Sequence, residues 1–295
     1  MLATPHQLHR QQAVAALDAG KHVFVEKPLA TTHDDAMAII AAARAAGTVL
    51  AVGHNRRLLP QLRMLGDIIA SRVLGRLLHI EANFSTAEGM GFGSDHWRSS
   101  RAECPGGAMT VLGVHVIDLL HQLFGPIASV SAAFAHRGTP ADMDDVASAR
   151  LNFGGGLSAT LVCLYGAPYT NRLVLHGTHA TVSVVATAPE SESVRPVLTV
   201  TSRTGQTDAF DVPFVDTVAL QLRMFADAVL GQGQPAVGGE EAGFNVSVLE
   251  ALDRSANTGG DEVEVRYGSV RPREVDHLLA GTGGGSSAAL MVSGG

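Results

Sequence analysis

Residues 21–52 run strand, helix, strand with very short connections. Lys21–Val25 is an apolar run that predicts a strand. Asp34–Ala46 predicts a helix, with Thr32 as its N-cap, acids in the first turn and Gly47 as its stop, and Val49–Val52 predicts the next strand. His6–Ala19 predicts an earlier helix, opened by Pro5 and closed by Gly20. This alternation is the signature of parallel βαβ units, so the first part of the chain is restricted to an α/β arrangement.

After Arg57 the pattern changes. Pro60–Ala70 and Met109–Phe124 read as helices, and Leu77–Phe84 alternates like a strand. Strand signals then dominate, at Val130–Ala135, Ala147–Phe153, Leu157–Leu164, Arg172–Leu175, Thr181–Val185 and Leu198–Ser202. Gly154-Gly155-Gly156 reads as a hairpin turn between two of them. Helices over Val215–Leu230 and Glu240–Asn257 follow. The expectation is a large open sheet, mainly antiparallel, with helices on one face. Residues 281–295 are rich in glycine and serine and predict a flexible tail.

Composition removes several function classes. The formal charge of −7 and the lack of a basic stripe speak against nucleic acid as a partner. No apolar stretch is long and clean enough to cross a bilayer, and Met1-Leu2-Ala3-Thr4-Pro5 is not a signal-peptide start, so no membrane partner is expected. Two cysteines, Cys104 and Cys163, make no disulfide framework and suit a cytoplasmic setting as buried small hydrophobes. Thirteen histidines are present, yet none forms a three-ligand spacing, so no metal is expected.

Glycine motifs are equally bare. The expression G-x-G-x-x-G/A matches at Gly154–Ala159, Gly231–Ala236 and Gly283–Ala288, but none of these follows a strand and opens a helix, as phosphate binding requires. There is no G-x-S-x-G, H-E-x-x-H or P-loop.

Two residues carry chemistry. Lys27 nearly adjoins a strand, at the carboxyl end where ligands bind open α/β sheets, and Pro28 fixes the backbone after it, where a cis bond is open to it. A lysine there can polarise a hydroxyl or carbonyl; a solvated loop lysine is the commoner explanation of such a residue taken alone. His115 lies in an apolar helix, where a satisfied core histidine and a tuned general base are both open.

Taken in order, "ATPHQLHRQQAVAALDAGKHVFVEKPLA", "VGHNRRLLP", "LLHIEANFS", "HWRSSRAECPGGAM", "LGVHVIDLL" and "GEEAGFNVSVLEAL" resemble the Gfo/Idh/MocA family of NAD(P)-dependent oxidoreductases over about residues 2–260. The resemblance implies a Rossmann-type remnant at residues 1–56, an open-sheet substrate and oligomerisation domain at 57–280, and the tail beyond. It implies NAD or NADP as cofactor, a sugar, cyclitol or related polyhydroxylated substrate, and a homo-oligomer formed through the open sheet. Lys27 and His115 become the catalytic pair, Lys27 holding the substrate oxygen and His115 taking its proton. Thr4, Pro5, His9, Glu26, Lys27, Pro28, Asn55 and Arg56 fall near the cofactor, and Arg98 joins Lys27 and His115 near the substrate.

Two departures sharpen these expectations. The family pattern opens with a strand, G-x-G-x-x-G and a helix. This chain starts inside the later A-T-P strand, about 60–70 residues further on at about 30 per βαβ unit. A chain without that pyrophosphate cradle is expected to bind cofactor weakly and to leave an apolar sheet face exposed. Where many members carry Asp one turn before the catalytic His, this chain has Val111. Asp118, three residues after His115, could partly substitute for that Asp, but reads first as a helix carboxylate without a catalytic role. The alternative function is a non-enzymatic sugar-binding or interaction protein that keeps the sheet and has lost turnover.

Overall fold

A computed structural model describes residues 1–93 and 95–268. The glycine–serine tail and the third glycine motif lie outside the described residues.

Helix α1 (His9–Asp18), strand β1 (Val23–Val25), helix α2 (His33–Ala46) and strand β2 (Leu50–Val52) form the βαβ unit. Helix α2 starts where expected because Thr32 Oγ1 accepts from the Asp35 N–H at 3.2 Å, and it stops at Gly47, whose φ of 63° is left-handed. Strands β1 and β2 are parallel, with Val23 opposite Leu50 and Val25 opposite Val52. Leu2 bridges to Val25 as a further parallel partner, and Gly238 bridges to Ala51 from the other side. Leu17, Val25, Leu29 and Ile39 are fully buried in this small core, which Val237, Ala242 and Val246 complete. Each such side chain contributes about 1.5–3 kcal/mol by leaving water.

The rest of the chain builds a nine-stranded sheet. Helix α3 (Pro60–Ala70) precedes strand β3 (Leu77–Ser85), and helix α4 (Val114–Phe124) precedes β4 (Ile127–Ala135). Strands β5 (Val146–Phe153), β6 (Ser158–Leu164), β7 (Thr170–Gly177), β8 (Ala180–Ala186), β9 (Val197–Ser202) and β10 (Thr207–Phe210) follow, then helices α5 (Thr217–Val229) and α6 (Gly239–Asn257) and strand β11 (Val263–Glu264). The sheet order is β10-β9-β8-β7-β3-β6-β5-β4-β11, and every pair is antiparallel except β3 with β6. Alternation along the strands decides its faces. Ile80, Ala82, Phe84, Leu161, Leu175 and Val182 point into the core, where α4 and α6 also pack. Glu81, Arg172, His176, Ser183 and Thr199 make a polar row on the other face.

Three expectations need correction. Residues 109–124 are not one α-helix: Met109–Gly113 form a π-turn, and the α-helix begins at Val114. Around the turn, residues 109–114 carry one polar side chain, Thr110, so periodicity gives no sign of a one-residue register shift there. Gly113 permits the wider turn, because a Cβ there would stand 2.2 Å from Met109 Sδ. The short edge strands β10 and β11 carry no alternation signal and were not expected. Finally, β1 and β2 leave no apolar face bare. Phe24 is 2 % exposed and meets Phe225 of α5 edge-on at 5.7 Å between ring centres.

Candidate active site

Strand β1 delivers Glu26, Lys27 and Pro28 at its carboxyl end, and the Lys27–Pro28 peptide bond is cis. Lys27 Nζ donates to the Val111 carbonyl at 2.6 Å. A π-turn shifts the helical bonding pattern locally, and here one of its carbonyls serves the lysine. Burial lowers the Lys27 ammonium from 10.5 to about 8, against the pull of Glu26 and with Arg98 and Arg56 adding to the drop.

His115 follows the π-turn, one residue into α4. Its Nδ1 is enclosed and has no hydrogen-bond partner. Burial, and then the charges of Lys27 and Arg56, keep its pKa well below 6.5, so the ring is neutral at neutral pH. Val111, one turn earlier, offers it no carboxylate.

The remaining expected residues divide. Arg56 lies over the Phe84 ring at 4.1 Å and reaches the Tyr169 hydroxyl at 3.4 Å, with Phe84 in turn 6.0 Å from His115 between ring centres. Arg98 stacks on Trp97 at 4.3 Å. Lys27, Arg56, Arg98 and His115 therefore share one neighbourhood, and the first three make it cationic. Asn55 is turned to Thr217 of α5, its Nδ2 donating at 2.8 Å. His9 is fully buried with both ring nitrogens on carbonyls, those of Pro28 and Thr4, each at 3.0 Å. It braces the Thr4-Pro5 segment against the cis-proline loop. Thr4 Oγ1 also donates to Gln12 at 2.7 Å.

Sequence reasoning missed Phe84, Tyr169 and His54. Phe84 looks like any core strand residue and Tyr169 sits in a connection without a pattern. His54 is 1 % exposed, with its ring 6.4 Å from that of His115. Behind it lies a buried polar network. Arg57 donates twice to Asp118, at 2.6 and 3.1 Å, and once to Glu241 at 2.6 Å. Asn245 Nδ2 donates to Asp118 Oδ1 at 2.8 Å, and His121 meets both Asn245, at 2.8 Å, and the Tyr267 hydroxyl, at 3.1 Å. Asp118 thus serves packing between α4, α6 and the turn after β2. Burial would raise its carboxyl, but His54, Arg57 and Asn245 bring it below the usual range.

No three His, Cys, Asp or Glu residues converge as metal ligands among the described residues. A cavity of about 1140 Å³ opens between Thr48–Leu50 and Gly233–Glu241, and neither Lys27 nor His115 lines it.

Similarity to known proteins agrees with this layout. Residues 1–54 match the oxidoreductase family with the NAD-binding Rossmann fold, and residues 62–183 match the GFO/IDH/MocA C-terminal domain. The 1,5-anhydro-D-fructose reductase of Ensifer adhaerens is 30% identical over 263 residues, covering 88% of this chain and 77% of the reductase. Of several further curated relatives the match spans about half the length, from 51% to 56%. The aldose-aldose oxidoreductase of Caulobacter crescentus, solved with glycerol, superposes with a TM-score of 0.77 at 26% identity, over 88% of this chain and 77% of that one. An inositol dehydrogenase homolog of Azotobacter vinelandii, solved with NADH and myo-inositol, shares the fold at a TM-score of 0.75 and 18% identity, over 89% and 76%. With both halves of the chain matched and the reductase covering most of its length, the protein belongs to the Gfo/Idh/MocA family of oxidoreductases.

Proposed function

We propose that this protein is an NAD(P)-linked oxidoreductase that interconverts a hydroxyl and a carbonyl on a sugar, cyclitol or similar polyhydroxylated substrate. The observation that carries the reading is the pairing at the end of β1: an ammonium lowered to about 8 and anchored on Val111, beside a neutral histidine. The donor set fits the nicotinamide end of such a cofactor, since the cationic Lys27, Arg56 and Arg98 gather at the carboxyl end of a parallel strand. No glycine-rich strand–turn–helix for the pyrophosphate occurs among the described residues.

Thr4, Pro5, Glu26, Pro28, Asn55 and Arg56 would hold the cofactor, and His9 would keep their loops in place. Bound there, the nicotinamide supplies or accepts the hydride. Lys27 and His115 hold the substrate's reacting oxygen and handle its proton, while Arg98 and Tyr169 bound the substrate side. Relatives named for anhydrofructose reduction and levoglucosan oxidation support the substrate class. The polar row on the uncovered sheet face supports pairing of two copies there, which light scattering reads as a doubled mass; a monomer at working concentration removes that part.

The decisive experiment measures NAD(P)H consumption against a panel of sugar and polyol ketones. Lys27→Ala is expected to lower kcat at least about 10²-fold with an unchanged circular dichroism spectrum. Near-normal rates in that variant return Lys27 to the status of a loop lysine. Sugar binding without turnover on any substrate favours the binding-protein alternative.

A further inference from the structure

The proton positions on the buried network follow from one fixed point. The Asp118 carboxylate only accepts, so the Asn245 atom 2.8 Å from it is the amide nitrogen, and Asn245 Oδ1 faces His121. The second hydrogen of Asn245 Nδ2 then faces His54 Nε2, at 3.4 Å. That nitrogen accepts only if it is unprotonated. Burial lowers His54 to about 4, which keeps the ring neutral, and its single proton therefore sits on Nδ1.

His54 Nδ1 is buried without a partner, and so is His115 Nδ1 in the neighbouring ring, which lies edge-on at 82°. An enclosed donor and an enclosed acceptor are each costly to leave unpaired. Val111 offers no competing group, because its side chain is apolar and its carbonyl, which accepts from Lys27, makes no hydrogen bond to His115 Nδ1. We propose that His54 is a positioning residue for His115, directing its Nδ1 proton to His115 Nδ1 across one water, so that His115 presents an Nε2–H to the substrate oxygen. His54 stands in place of a carboxylate and has the opposite effect, because a carboxylate would keep the His115 proton on Nδ1 and leave Nε2 as a base.

The consequence for the site rests on the oxidoreductase reading above. With Nε2 protonated and the ring neutral, His115 polarises the carbonyl oxygen by hydrogen bonding, and Lys27 supplies the proton. A Lys27 N–H bond breaks and an O–H bond forms on the substrate as its carbon is reduced, the nicotinamide proposed above being the reductant. The ammonium becomes an amine and regains its proton from solvent.

The tautomer itself is measurable without turnover. Long-range ¹H–¹⁵N spectra of the full chain labelled with ¹⁵N-histidine, with His115→Gln to assign the signals, should show His115 protonated at Nε2 only and His54 at Nδ1 only. His54→Phe should spread the His115 proton over both nitrogens and lower kcat about 10- to 100-fold with KM little moved. His54→Asn, which keeps a donor at the Nδ1 position, should restore the wild-type pattern and most of the rate. His115 protonated at Nδ1 in the wild type overturns the proposal, whether or not the phenylalanine variant folds; so does an unchanged His115 pattern in His54→Phe. The expected tautomers in a chain that turns over no sugar support the His54–His115 pairing while removing the oxidoreductase reading.

Discussion

Lys27 is the residue whose surroundings do most to define its chemistry. Burial favours the amine, Glu26 favours the ammonium, and the balance puts the change of charge at about 8. Carbonyl reduction consumes the ammonium form, so its rate should fall as pH rises through about 8. Alcohol oxidation needs the amine and should rise across the same interval. Profiles of kcat/KM in both directions check this, and a break near 10.5 in either would remove Lys27 as the proton carrier. The sequence put Lys27 at the end of an apolar strand, where parallel sheets bind ligands, but position alone favoured a solvated loop lysine and only the family resemblance made it a catalytic candidate. His54 was not legible. Gly53-His54-Asn55 reads as an ordinary turn, and what sets its proton is Asn245, 191 residues further along the chain.

At the scale of elements, the π-turn and the helix behind it matter most. Met109–Gly113 places the Val111 carbonyl on Lys27, and Gly113 makes room for Met109 inside the turn. Gly113→Ala should overpack it, costing about 1–3 kcal/mol in urea denaturation and displacing the carbonyl enough to lower kcat. An unchanged midpoint together with unchanged kcat would show that the turn tolerates a methyl group. The network between α4 and α6 gives a larger expected effect. Asp118→Ala leaves the Arg57 guanidinium, 10% exposed, with only the half-exposed Glu241 to pair with, and should cost about 3–5 kcal/mol. A loss below 1 kcal/mol on the order of a surface pair would place the network on the surface in energetic terms. The helix was legible from its apolar content, whereas the contacts of Asp118 with Arg57 and Asn245 depend on segments far along the chain and were not. The π-turn was hidden because residues 109–114, with Thr110 as their one polar side chain, keep too little record of their winding.

For the whole molecule, the change from parallel βαβ to antiparallel sheet was plain from the change in periodicity after Arg57. The placement of β3 in the middle of the sheet, and of Phe225 over Phe24, was not, since both depend on contacts between distant segments. Those long-range contacts also bury histidines, and this sets how the fold responds to acid. Burial lowers His6 to about 3 and both His54 and His121 to about 4, against 6.5 when exposed. Below pH 6.5 the unfolded chain takes up these protons and the folded chain does not, so stability is full above 6.5 and is lost as pH falls towards 4. For three histidines titrating together the slope approaches about 4 kcal/mol per pH unit. Over two units that approaches about 8 kcal/mol, which exceeds the stability of a domain in the lower part of the usual range of about 5–15 kcal/mol. Asp118, held below the usual carboxylate range, adds its loss at still lower pH. Circular dichroism during an acid titration should therefore show cooperative unfolding between pH 6 and about 4, and His121→Gln should make the stability curve shallower by one proton's worth. A chain that keeps its full urea midpoint at pH 4.5 would mean that these rings take up protons without unfolding, and that water reaches the network behind His115.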